Sequence, residues 1–265
     1  MQKTLSLRAG ITLCIIFTLC TILCITSGAG PRFNWYCKRT TDHSQPPIDA
    51  DVEWITRYNG FYVDKKHTDH NQDKVIYLTF DAGYENGNVE KILDVMQKHS
   101  VKGSFFILGN LIERNPELVV RMADEGHLVC NHTYSHKDIT HLSEEQLQSE
   151  LCKLEQAYTN LTGKPMSKYF RPPEGTFDER SLNIVAKQGY KTVFWSFAYA
   201  DWDNQKQMPL EAAKKKILDN LHNGEIMLLH PTSETNATIL SDVIGFLKSQ
   251  GYRFATIDEI QEGEA

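Results

Sequence analysis

No long run of Lys or Arg occurs in this 265-residue sequence, and Asp and Glu outnumber Lys and Arg by 34 to 28, for a formal net charge of −6. A surface able to neutralise a row of phosphates is therefore missing, which excludes nucleic acid as the partner. Cysteine is scarce. Three of the six, Cys14, Cys20 and Cys24, fall in the first thirty residues, leaving Cys37, Cys130 and Cys152. Their number is odd and their spacing matches no zinc ribbon, so at most one disulfide is allowed and buried free thiols are expected. A Gly-rich phosphate-binding turn is also missing, which argues against a dinucleotide-binding sheet. What is present is globular: 41% hydrophobic and 23% charged residues exclude disordered and fibrous classes. At about 150 residues per domain, the length allows one domain or at most two.

The first thirty residues stand apart. Lys3 and Arg8 precede an apolar run, residues 9–26, that contains no charge; Ser27, Gly28, Ala29 and Gly30 then supply small residues before Pro31. This is the layout of a secretory signal peptide. The run is also near the minimum for a span, so residues 1–30 are a signal peptide or a membrane anchor. Either way, the positive end stays inside and the body is expected outside the cytoplasm.

Residues 31–72 are polar and irregular and are expected to form an N-terminal extension packing on the main domain, with His43, His67 and His70 as scattered surface groups. From residue 73 to 262 a regular alternation sets in. Val75–Phe80, Ser104–Leu108, His127–Cys130, Tyr190–Trp195, Glu225–Leu229 and Tyr252–Ile257 have strand composition. Between them lie helical stretches, such as the Leu147, Leu151, Leu154, Tyr158 and Leu161 stripe opened by a capping box at Ser143 and Gln146 and stopped by Gly163. Alternating strands and helices imply parallel βαβ units and an α/β barrel, with the active site where strands end and loops begin.

Five places meet that expectation: Asp81, the pair His132 and His136, Arg171, Asp201 beside Trp202, and His230. The i, i+4 spacing of the two histidines suits one face of a helical turn and a divalent metal such as zinc. A metal there would lower the pKa of a bound water and polarise a carbonyl. A nearby carboxylate could take the water's proton, and another His could protonate a leaving amine. Asp81 and His230 fit those two parts, with Arg171 and Asp201 orienting them. Three triplets starting at Asn131, Asn160 and Asn236 match the N-glycosylation pattern, which is too short to carry weight.

In order along the chain, Thr79-Phe80-Asp81-Ala82-Gly83, His132 to His136, Arg171 to Gly175, Asp201-Trp202 and Leu228-Leu229-His230 resemble the motifs of the NodB-homology polysaccharide deacetylases, carbohydrate esterase family four. The resemblance covers about residues 74–258. It is nearest to the sporulation branch that deacetylates muramic acid on the way to the muramic δ-lactam of spore cortex, through Asn34-Trp35, Gln45-Pro46-Pro47, Tyr84-Glu85-Asn86-Gly87 and Arg171-Pro172-Pro173. It implies a distorted (β/α)7 barrel and metal-assisted hydrolysis of an N-acetyl group on a peptidoglycan strand. It implies Asp81 as general base, His230 as general acid, His132 and His136 as metal ligands and Arg171 holding Asp81. Asp201 would hold either Arg171 or His230. Tyr84, Pro173, Glu174 and Trp202 are expected to contact the sugar, although Glu174 could equally be a solvated loop charge. Trp195, Phe194 and Phe197 are expected in the core.

The sequence departs from the family in two places. Most members carry a second, metal-binding Asp where this chain has Ala82, so the zinc site would be atypical, with two protein ligands. Ala198 stands where many members carry an acid. A deacetylase of N-acetylglucosamine polymers and a degenerate sugar-binding protein are the alternatives, and nothing in the sequence points to a protein partner.

Overall fold

The computed structural model describes residues 30–260. The expected leader, including the apolar run 9–26, lies outside the described residues apart from Gly30. In chain order the elements are β1 (Phe33–Asn34), β2 (Gly60–Phe61), β3 (Lys74–Ala82), α1 (Val89–Lys98), β4 (Ser104–Ile107), α2 (Gly109–Arg114), α3 (Pro116–Asp124) and β5 (Leu128–Asn131). They continue with α4 (Glu144–Thr162), β6 (Tyr169–Phe170), β7 (Thr176–Phe177), α5 (Glu179–Lys187), β8 (Lys191–Val193), α6 (Leu210–Asp219), β9 (Glu225–Leu229), α7 (Glu234–Ser249) and β10 (Tyr252–Ala255).

The central strand is β3, whose residues are buried on both faces, as a parallel strand covered on two sides requires. Val75 and Tyr77 pack with Phe106, Cys130, Val193 and Ile226 inside the sheet's curl. Ile76, Leu78, Phe80 and Ala82 pack outward with Val89, Ile92, Leu93 and Met96 of α1. Because side chains alternate, Asp81 belongs to the inner set and arrives at the strand's C-terminal end.

The sheet has the order β10-β3-β4-β5-β6-β8-β2, with β9 also on β3, and all these pairs are parallel. Past β8 the chain reaches β9 through one bridge, Phe197 to Met227. The expected barrel is thus a curled parallel sheet joined at a narrow seam. Its helices follow local chemistry. The Ser143 capping box forms, α4 buries Leu147, Leu151, Leu154 and Tyr158, and Gly163 ends it at φ 69°. Helix α7 begins three residues before the expected Ala237, because Ser233 accepts the Asn236 N–H and caps it.

Residues 31–72 are less irregular than their sequence suggests. β2 adds a strand beside β8, and β1 pairs antiparallel with β7 through Phe33 to Phe177 and Asn34 to Thr176. The Gln45 amide donates to the carbonyls of Asp64, His67 and Asn223 at 2.7, 2.9 and 3.0 Å. His43 and His70 are exposed as expected, the His43 ring 2.8 Å from the Leu221 carbonyl, whereas His67 is half-buried, its ring 2.6 Å from buried Asp64 and 3.1 Å from Asp73. Cys37, Cys130 and Cys152 are all free thiols, yet only Cys130 is buried.

Candidate active site

The predicted site residues gather at the C-terminal ends of the strands, around a cleft of about 780 Å3. Arg171, fully buried after β6, is the organiser. Its Nη1 donates to Asp81 Oδ1 at 2.8 Å, its Nη2 to Thr79 Oγ1 at 2.9 Å and to the Phe194 carbonyl at 3.3 Å, and its Nε to the Val193 carbonyl at 3.1 Å. The guanidinium also stacks 4.1 Å from the Phe106 ring centre. Removing it would strand Asp81, and breaking a buried pair costs about 3–5 kcal/mol. Burial alone pushes the Asp81 carboxyl up, but the Arg171 charge and hydrogen bond, with the charge of His230, outweigh it and hold the carboxyl below its usual range.

His132 leaves β5 with its Nδ1–H donated to the Arg171 carbonyl at 2.8 Å. Burial lowers its pKa to about 4, so the ring is neutral and Nε2 carries a lone pair. That nitrogen stands 3.7 Å from Asp81 Oδ2. The contact is therefore no ion pair: two electron-rich atoms face one another, an arrangement suited to a cation or a hydrogen-bond donor. His136 is near, its ring centre 5.1 Å from that of His132. The turn between them is not helical, which corrects the spacing argument. Thr133 and His136 adopt left-handed backbone at φ 68° and 56°. Asn131 Oδ1 accepts the Thr133 N–H, and Thr133 Oγ1 accepts that of His136.

Asp201 is the partner of His230, not of Arg171. Its Oδ1 accepts His230 Nδ1–H at 2.7 Å, and its Oδ2 accepts the His230 backbone N–H at 2.8 Å and the Asn236 amide at 2.6 Å. Burial lowers the His230 pKa, but the bond to Asp201 and the charges of Asp201 and Asp81 more than offset it, and the net shift is upward. Nδ1 is thereby committed, and Nε2 is the ring nitrogen left for chemistry.

Among the expected sugar contacts, Tyr84, Glu174 and Trp202 line the cleft, whereas Pro173 is buried and does not. Trp202 packs its edge near the His230 ring, 5.9 Å between centres. Glu174 holds left-handed backbone at φ 57° and is exposed. Phe194 and Phe197 lie in the core as expected, but Trp195 lines the cleft. Sequence reasoning missed Asn236, which braces Asp201, and Trp35, which reaches the cleft wall from the extension. The signal for Trp35 was its place beside Asn34 in the branch-specific stretch.

Among the described residues, no three His, Cys, Asp or Glu side chains converge as a ready ligand set. Ala82 is fully buried in the apolar cluster against α1 and offers no donor. The neutral His132, with its second nitrogen held by a carbonyl, and the adjacent His136 fit two imidazole ligands.

A curled parallel α/β sheet that brings a carboxylate, two imidazoles and an Asp-His pair to one strand-end cleft defines a hydrolase site. The chain belongs to the polysaccharide deacetylase family, carbohydrate esterase family 4, enzymes that hydrolyse carbon–nitrogen bonds. The family profile described as polysaccharide deacetylase matches residues 68–193. The peptidoglycan-N-acetylmuramic acid deacetylase PdaA of Bacillus subtilis is 41% identical over 228 residues, 86% of this chain and 85% of that protein. The solved structure of Bacillus subtilis PdaA superposes with a TM-score of 0.81 at 40% identity, covering 86% of this chain and 96% of that one. A peptidoglycan-N-acetylglucosamine deacetylase of Bacillus cereus is 34% identical over 186 residues, 69% of this chain and 66% of that protein.

Proposed function

We propose that this protein is an exported peptidoglycan deacetylase that removes the acetyl group of N-acetylmuramic acid, on the path to the muramic δ-lactam of spore cortex. The observation that carries this reading is the pairing of two carboxylates with two different partners across one cleft. Asp81, ionised by Arg171, is the general base that takes the proton of the attacking water. His230, kept protonated by Asp201, is the general acid that gives a proton to the departing amine. The water's oxygen bonds to the acetyl carbon, the amide C–N bond breaks, and acetate and a sugar amine leave. His132 and His136 would hold a divalent metal, zinc by ligand type, which when bound supplies a Lewis acid beside the acetyl oxygen. The glycan strand is the partner, with Tyr84 and Trp202 as stacking surfaces and Glu174 at the rim. Residues 1–30 supply the export signal or a membrane anchor, and residues 31–72 and 73–262 are the extension and the deacetylase domain.

The test is to treat purified peptidoglycan with the protein and identify, by mass spectrometry of the fragments, which sugar has lost its acetyl group. Loss from muramic acid supports the reading. Loss from glucosamine alone would replace it with the second reading, which the resemblance to the Bacillus cereus glucosamine deacetylase favours. Release of no acetate would leave a sugar-binding protein.

A further inference from the structure

Arg171 orients Asp81, but Arg171 is itself held from outside the deacetylase motifs. Two of its acceptors are the carbonyls of Val193 and Phe194, where the chain leaves β8. Trp35 grips that segment. Its indole Nε1–H donates to the Trp195 carbonyl at 2.9 Å, and its ring stacks on Phe194 with centres 4.4 Å apart and planes at 23°. The same residue grips the loop that carries Arg171, because the Trp35 backbone N–H donates to the Gly175 carbonyl at 2.7 Å. Gly175 is at φ 64°, and a Cβ there would lie 2.7 Å from the Trp195 ring and 3.2 Å from Trp35 Cβ, so the close approach needs glycine. Trp35 thus ties, by its side chain, the segment bearing Arg171's acceptors and, by its backbone N–H, the loop bearing Arg171.

We infer that Trp35 is a positioning residue for Arg171, and through it for Asp81, which makes the N-terminal extension part of the active site. This rests on the deacetylase reading for its kinetic arm only. Arg39 adds a second grip, its guanidinium 4.9 Å from the centre of the neighbouring Phe197 ring and its Nη2 donating to the Ala198 carbonyl. The extension therefore touches the segment between β8 and β9 at two successive points.

Trp35→Phe keeps a ring on Phe194 and the backbone bond to Gly175, and loses only the indole donor. It is expected to lower kcat by about 3- to 10-fold, the equivalent of one ordinary hydrogen bond, with KM changed less than kcat. In an Arg171→Lys background the same substitution should have no further effect on kcat, because residues acting through one another are not additive. A KM increase at unchanged kcat, or the same loss in both backgrounds, would overturn the inference and leave Trp35 as a wall of the cleft. Trp35→Ala should lose more than Trp35→Phe, and the Phe variant decides alone if the Ala variant does not fold. An arm independent of activity follows the Arg171 Nε–H by NMR in the wild type and Trp35→Phe. Faster solvent exchange in the variant is expected, and equal exchange overturns the inference even in a protein that releases no acetate. Failure of the deacetylase reading would instead show as absent acetate release together with changed exchange.

Discussion

Asp81 and Asp201 are both carboxylates at the same cleft, and their neighbours give them different chemistry. Arg171 occupies one Asp81 oxygen and leaves the other facing His132, while Asp201 spends both oxygens on His230 and Asn236. Asp81→Asn keeps the shape and removes the base, so turnover should fall by about 10² to 10⁴, with circular dichroism unchanged. Wild-type turnover in that variant would remove Asp81 from the mechanism. The pH profile follows from the two shifts. Asp81 stays ionised below the ordinary carboxylate pKa, and His230 stays protonated above the ordinary histidine value. A bell-shaped kcat/KM is therefore expected, its acid limb below about pH 4 and its alkaline limb above about pH 6.5. An acid limb above pH 6 would contradict the assignment. These residues were legible because a strand-end position marks an active-site side chain in an α/β barrel. Asn236 was not, since its triplet resembles a glycosylation acceptor, while in the fold it is buried against Asp201.

At the level of elements, the turn carrying His136 depends on a helix that contributes nothing to the cleft. Glu150 of α4 accepts the Ser135 N–H at 2.8 Å and the Ser135 hydroxyl, and lies 3.5 Å from Lys137. Two left-handed residues in this turn cost about 1–3 kcal/mol each, and such backbone persists only when its surroundings hold it. Glu150→Ala should therefore loosen the turn. Zinc affinity is expected to fall about tenfold, in the range seen for outer partners of metal ligands, with the Arg171–Asp81 contact unaffected. Calorimetric titration with zinc is the measurement, and equal affinity would show that the turn holds itself. Helix α4 was readable to within its caps because Ser143, Gln146 and Gly163 are strong boundary signals. β2 was not, since Gly60–Phe61 is too short to show a period and becomes a strand only by pairing with β8.

Across the whole molecule, the cleft end of the sheet is matched by a buried polar layer at the start of β9. Glu225 is fully buried, with Oε2 accepting the His222 N–H at 3.1 Å and Oε1 unpaired. His222 takes a hydrogen bond with Ser196 at 2.8 Å, and burial drives its pKa to about 4. Burial also drives the Glu225 carboxyl well above its usual range. The 3.4 Å approach of His222 Nδ1 to Glu225 is thus a contact of two neutral groups. The folded chain keeps a proton on Glu225 that the unfolded chain releases above about pH 4.3. Its stability is fully present below that value and is lost as pH rises toward the folded pKa. Glu225→Gln should remove this slope. The variant's melting temperature, compared with wild type from pH 4 to 8, is expected to gain steadily with pH. A pH-independent difference would mean that Glu225 ionises alike in both states.

The seam between the end of β8 and β9 has a kinetic consequence. β3 is laddered to β9 over five residue pairs, Ile76 to Phe80 against Glu225 to Leu229. The opposite flank of β9 is stitched only by isolated bridges: Phe197–Met227, through the Ser196 and Phe197 N–H groups on the Ile226 carbonyl and the Leu228 N–H on the Phe197 carbonyl, and the antiparallel Val63–Glu225, with the Ile226 N–H also donating to Ser196 Oγ. Local openings start where the fewest bonds must break together. Deuterium should therefore enter at Phe197 and Leu228 well before Tyr77 and Leu78. Because Ala198 and Leu228 line the cleft, such openings are expected to reach its mouth first. Opening of the groove is expected to run along this line, where isolated bridges stand in place of a continuous ladder.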